Sequence, residues 1–132
     1  MRQAMMDYFT KAFKFTGRST RKDYWVPNIV YGLIGIGLSI FKAPIKVQNA
    51  LAVIFTVPMI ALTSRRYQDT GISGWLQLPQ LLSFLLLPVV FMSFVKRWMK
   101  AAAITIIALF SIMGFILTLL PSDGDNEYGK CP

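Results

Sequence analysis

Arg65-Arg66-Tyr67-Gln68-Asp69-Thr70-Gly71-Ile72-Ser73-Gly74-Trp75 lies between two long apolar runs. A charged, turn-rich stretch set directly against membrane-length hydrophobic sequence is costly unless it sits at a bilayer surface. Its reading decides the fold: the runs on either side are transmembrane helices, and this segment is a loop at one membrane face.

Working outward, four apolar segments emerge, at about 25–41, 47–64, 75–95 and 101–120. A span needs roughly 20 residues, with about 17 as the lower limit. The third and fourth meet this readily. The first is short and opens with Pro27, which is tolerated near a helix start. The second is the weakest, because its unbroken apolar core, Ala50 to Thr63, contains Pro58. It spans if Val47, Gln48 and Asn49 reach the headgroups, and otherwise it is re-entrant or interfacial. Pro79 and Pro88 predict a bent third helix. The expected fold is an all-α integral membrane protein built as a four-helix transmembrane bundle, 25–120. Residues 1–24 form a basic cytoplasmic segment before it, and 121–132 a cytoplasmic tail after it.

Within that first segment, Met5, Phe9, Ala12 and Phe13 recur at helical spacing. They predict a short interfacial amphipathic helix over Met5 to Phe15, ended by Gly17. Thr20 and Asp23 have the spacing of a capping box. Residues 1–22 carry frequent charge and no apolar core, so the first span is expected to act as an uncleaved anchor. Gly32, Gly35 and Ser39 on the first span form a face of small residues suited to close helix approach. Ala101, Thr105, Ala108, Ser111, Gly114 and Thr118 form another on the fourth.

Composition agrees with a membrane protein: 55% of the 132 residues are hydrophobic and the formal net charge is +8. The cations flank apolar runs, which suits orientation and anionic headgroups rather than nucleic acid. Counted on a four-span topology, nine Lys and Arg fall on the side of the N-terminus, the 65–74 loop and the tail. Five fall on the other side, at Lys42, Lys46, Lys96, Arg97 and Lys100. The excess places the first side in the cytoplasm. If the second segment does not span, the 96–100 loop and the tail change places.

Enzyme chemistry has little to work with. There is no histidine, which removes the commonest general base and metal ligand, and the single cysteine, Cys131, excludes an intrachain disulfide. Asp69 lies beside the membrane; Asp123, Asp125 and Glu127 sit in the tail. No P-loop, zinc pattern or Ser-His pair is present. The reading therefore assigns no catalytic residue, no metal and no cofactor. A transporter or channel would want an ionisable residue at mid-span, and none is there. The alternative of an oligomeric small-molecule or ion transporter or channel stays open, because four short spans enclose little volume alone.

Three motifs tie the chain to a family. Gly17-Arg18-Ser19-Thr20-Arg21-Lys22-Asp23-Tyr24-Trp25 resembles a GR-x-x-R-x-x-[YF]-W opening, and 65–75 is similar to RR-x-x-D-x-x-x-SGW. Gly124-Asp125-Asn126-Glu127-Tyr128-Gly129 resembles a closing N-x-YG. In this order they resemble domain of unknown function 805, a family of small bacterial inner-membrane proteins. The resemblance implies a multi-pass protein of the bacterial inner membrane. One departure is Gln68, where family members often carry histidine.

The motifs are expected to converge in one cytoplasmic layer. It would hold Arg18, Arg21, Arg65, Arg66 and Asp69, the aromatics Tyr24, Trp25, Trp75 and Tyr128, and the turn residues Gly71, Ser73, Gly74, Asn126 and Gly129. Asp-Thr-Gly-x-Ser-Gly favours turns whose amides cradle an anion, and paired arginines offer bidentate donors to phosphate. Two readings follow. The layer binds an anionic lipid headgroup, or it is an internal scaffold in which Asp69 pairs with the arginines and organises a membrane protein partner. Membrane lipids and a second copy of the chain are the other expected partners; nucleic acid is not.

Overall fold

The computed structural model describes residues 2–131. Its regular elements are helical, and the one extended pairing among the described residues is the isolated bridge Asn126–Gly129. By contact the chain forms two compact units, Met1–Gly74 with Pro121–Pro132, and Trp75–Leu120.

The first unit is a helical hairpin with a short helix packed on it. Helix α1 spans Arg2–Thr10, α2 Arg21–Ile40 and α3 Ile45–Asp69. The expected capping box starts α2: the Thr20 hydroxyl accepts from the Asp23 amide at 3.2 Å, and the Asp23 carboxylate accepts from the Thr20 amide at 3.2 Å. The helix therefore begins before Trp25. Residues 41–44 turn the chain, with Lys42 at φ 50°, and Pro44 precedes α3.

Helix α3 is one continuous element of 25 residues. Pro58 lies inside it without ending it. The proline ring withdraws a donor from the Ile54 carbonyl. The Tyr8 hydroxyl delivers a hydrogen bond to the adjacent carbonyl, that of Phe55, at 2.6 Å. Phe55 is also stacked on Tyr31, centroids 4.9 Å apart. Tyr8, Tyr24, Phe55 and Leu62 form the buried core, with Trp25, Leu51 and Met59 packed against it.

Helix α1 departs from its expected register. It ends at Thr10 and buries Ala4 and Tyr8; of the expected face Ala12, just beyond it, is buried, while Phe9 and Phe13 are exposed. The i, i+4 pair Ala4–Tyr8 faces the hairpin because Tyr8 carries the hydroxyl that Phe55 receives.

The second unit contains a 3₁₀ turn, Gly74–Gln77, then α4 (Leu78–Ser83), a second 3₁₀ turn (Phe84–Leu86), α5 (Leu87–Phe91) and α6 (Arg97–Leu119). Instead of one bent third helix there are short segments. Pro79 and Pro88 each take a first-turn position and so restart the helix. Both α4 and α5 pack on α6. Helix α6 begins at Arg97, inside the expected basic loop, and buries Ala103, Gly114 and Thr118; only the last two belong to the expected small-residue stripe. On α2, a side chain at Gly32 or Gly35 would meet nothing within 4 Å.

Three stretches are long and apolar enough to cross a membrane: Ile45–Asp69, Gly74–Phe91 and Arg97–Leu119. At most 22% of the apolar window of any of them is buried within the protein. So much exposed hydrocarbon is intelligible only if lipid or another protein covers it. Helix α2, which carries Arg21, Lys22, Asp23 and Asn28, is not among the three.

Candidate functional site

Arg65 to Asp69 form the last turn of α3 rather than a loop. The stop comes at Thr70–Gly71. The amide of Gly71, at φ 75°, donates to Gln68 O at 3.2 Å, and that of Ile72 donates to Tyr67 O at 3.0 Å. This paired pattern is the Schellman cap, and its left-handed residue favours glycine. The Thr70 amide donates to Tyr67 O at 3.0 Å. These turn amides are consumed in closing the helix, so the expected anion cradle is not formed by them.

From Ser64 to Asp69 every residue of this last turn is buried. What buries it is chain from both ends of the first unit. The Ser64 hydroxyl donates to Phe15 O at 2.8 Å, and the Gly17 amide donates to Gln68 Oε1 at 2.9 Å. From the other end, the Asp123 amide donates to Asp69 O at 2.8 Å and Asn126 Nδ2 to Gln68 O at 3.1 Å.

At the centre, the Asp69 side chain is 0% exposed. Its Oδ1 accepts from Arg18 Nε at 2.9 Å, and its Oδ2 accepts from Arg66 Nη1 and from the Ser122 hydroxyl. Arg66 Nη1 also points at Ser19 O, 3.4 Å away. Both carboxylate oxygens are therefore engaged by donors of the chain itself, two guanidinium groups and a hydroxyl.

Arg18 is committed just as fully. Beyond its bond to Asp69 Oδ1, Nη1 donates to Gly124 O at 2.6 Å and Gly129 O at 3.0 Å. Nη2 donates to Asp69 O at 3.1 Å and to Asp123 O. A guanidinium has five N–H groups, and all of Arg18's are directed at acceptors of its own chain. The antiparallel Asn126–Gly129 bridge presents the Gly129 carbonyl to Arg18.

The structure thus brings together Arg18, Arg66, Asp69, Asn126 and Gly129, with Gly71 pressed against the Asp123 side chain. Tyr128 reaches Ser73, and its bond to the neighbouring Glu127 carboxylate pushes the phenol above its usual range. Gly74 abuts Ser64, where a side chain would collide with the hydroxyl.

Arg65 points elsewhere. Successive helical residues diverge by about 100°, so the two arginines do not form one bidentate pair. Arg65 is 3% exposed, donates weakly to Ala61 O at 3.4 Å, and lies within electrostatic reach of Asp7 and Asp23. Its Nη2 is buried without a hydrogen-bond partner. Tyr24 and Trp25 belong to the packed core, rings 5.5 Å apart, while Trp75 is 76% exposed and falls in the other unit. Among the described residues no three His, Cys, Asp or Glu side chains converge as a metal site would require.

Gln68, Ser122 and Asp123 carry much of this cluster and were not among the expected site residues. Ser122 and Asp123 had one visible signal, a polar pair immediately after the last apolar run.

From Gly17 to Gly129 the cluster draws on all three signature motifs, and the family model that matches covers residues 12–130. The chain belongs to the family described as Protein of unknown function (DUF805). No curated protein and no solved structure matches it. For a member of this family, the geometry supplies what the family description does not: the signature residues bond to one another.

Proposed function

We propose that this DUF805 protein is a non-enzymatic, four-span protein of the bacterial inner membrane, with both termini cytoplasmic. Its Arg18–Asp69–Arg66 cluster is a lock that holds a rigid basic platform for a membrane protein partner. The observation that carries the reading is the full commitment of Arg18: no donor remains for a ligand, so its charge serves the chain's own architecture.

The same bonds favour four spans. Arg18 and Ser19, just before α2, meet Asp69 and Arg66 at the end of α3, while residues 41–44 join the opposite ends. An antiparallel pair joined in this way crosses together, and 20 residues of α2 rise about 30 Å, the thickness of the hydrocarbon layer. The tail's bond to Asp69 then requires an even number of crossings between them, which Gly74–Phe91 and Arg97–Leu119 supply. The excess of cations on that side favours the cytoplasm.

A second reading is favoured by Arg65, whose buried Nη2 lacks a partner. An anionic headgroup would supply one. Native mass spectrometry of the gently extracted protein separates the two. The platform predicts a second polypeptide, another copy or a different membrane protein, that is lost in Arg18→Ala while helical content is kept. A monomer that carries an anionic lipid, lost in Arg65→Ala, would replace the platform with a headgroup site.

A further inference from the structure

Between α2 and α3 lies a half-open pocket of about 360 Å³, at the end remote from the Arg18–Asp69 cluster. Tyr31, Leu38, Ser39, Gln48, Asn49 and Leu51 are among its walls, and none of the residues lining it is charged. The volume lies at the low end of the range for small-molecule sites. We propose that this cavity binds a neutral, hydrogen-bonding amphiphile, a lipid with a hydroxylated head of the monoacylglycerol kind.

Chemistry narrows the occupant from both sides. A charged group would enter without a counter-ion, which an apolar site penalises heavily. A pure hydrocarbon would offer nothing to the Asn49 amide, whereas the Ser39 hydroxyl and Gln48 Nε2 already have acceptors on the chain. The polar groups are also graded with depth. Ser39, Gln48 and Asn49 stand near the 41–44 turn, where the Ser39 hydroxyl is tied to Gly35 O at 2.9 Å and Gln48 Nε2 to Ala43 O at 2.9 Å. Those bonds fix the two side chains in place, and Asn49 adds a full amide beside them. Leu38 and Leu51 lie deeper. Tyr31 is nine residues back from Ile40, about 14 Å along the helix, and its ring is pinned by stacking on Phe55. A polar head against the amides with a chain running toward Tyr31 matches that order.

Gly35 lines the cavity, and a Cβ there meets nothing within 4 Å. Gly35→Leu therefore fills the space without straining α2, and Asn49→Leu removes the amide while keeping bulk.

The test uses the full chain in phosphatidylcholine nanodiscs with a monoacylglycerol carrying a photoreactive group in its acyl chain. Labelling is expected within residues 31–52. Each variant should cut it about fivefold or more, the scale of one or two lost hydrogen bonds or a filled site. Both variants should keep wild-type helical content. Labelling that survives both variants overturns the proposal, as does labelling spread equally over exposed residues such as Phe41 and Phe94. Loss in Gly35→Leu but not in Asn49→Leu overturns the hydrogen-bonded head and leaves a hydrocarbon groove. Equal labelling by the matching phosphatidylglycerol probe overturns the neutral-head assignment.

Discussion

Arg18 Nε donates to Asp69 Oδ1 at 2.9 Å, joining the residues just before α2 to the last residue of α3 across 51 positions of sequence. Around that bond the Arg66 guanidinium, the Ser122 hydroxyl and the tail carbonyls complete a buried polar cluster. A buried charge pair is weak evidence of net stability, yet breaking it by removing one partner is expensive.

Asp69→Asn therefore leaves two guanidinium groups in a buried site with no counter-charge. The expected loss is about 3–5 kcal/mol, read as an earlier midpoint when the detergent-solubilised protein is titrated with a denaturing detergent. Ser122→Ala removes one donor to the same carboxylate, and its expected cost is about 1–2 kcal/mol. Equal midpoints for Asp69→Asn and wild type would mean the cluster contributes nothing to stability.

Arg18→Lys keeps the charge and loses the fork. An ammonium has three donors at one point and cannot span Asp69, Asp123, Gly124 and Gly129 together. Hydrogen exchange should accelerate at the Asp123 amide, which donates to Asp69 O, by about tenfold or more for a bond worth 1.4 kcal/mol, while amides in the middle of α3 keep their protection. Unchanged exchange in the tail would show that Arg18 does not hold it.

Gly71→Ala combines two penalties. The residue sits at φ 75°, and a Cβ there would stand 2.7 Å from Asp123 Oδ2. The left-handed conformation alone costs about 1–2 kcal/mol, and the displaced carboxylate adds to it. Gly124→Ala, where a Cβ meets nothing within 4 Å, should be near neutral. Comparable losses in both would point to a general effect of the tail rather than to this contact.

Topology is checked with membrane-impermeant thiol reagents. In intact inverted vesicles Cys131, which is exposed, should label at once. In a Cys131→Ser background, Lys42→Cys should label only from the opposite face. Labelling of both positions from one side would sink the four-span arrangement.

Much of this was legible in the chain, and the failures are instructive. Thr20 and Asp23 announced the start of α2 because a capping box depends only on spacing. The convergence of the three motifs was legible because each is polar sequence at the end of an apolar run. What escaped was direction. Arg65 and Arg66 look like a pair in sequence, but helical geometry sends one toward the tail and the other toward α1. Charge at their turn suggests water and a loop, whereas Arg, Tyr and Gln are tolerable helix residues and only Gly71 supplies the stop. For α1 the difference of one register position turned on a single hydroxyl, that of Tyr8, whose carbonyl partner lies 47 residues away.

The tail's place in the cluster has a bearing on biogenesis. Translation supplies Ser122 and the carbonyls of Asp123, Gly124 and Gly129 several seconds after Asp69, at about 5–20 residues per second. In a bilayer they reach Asp69 only if the intervening chain has returned to the same leaflet. A molecule inserted with one helix left behind strands its acceptors on the far side, with Arg18 still lacking them. On the proposed four-span arrangement such a molecule cannot complete the cluster, whose bonds need the tail beside Asp69.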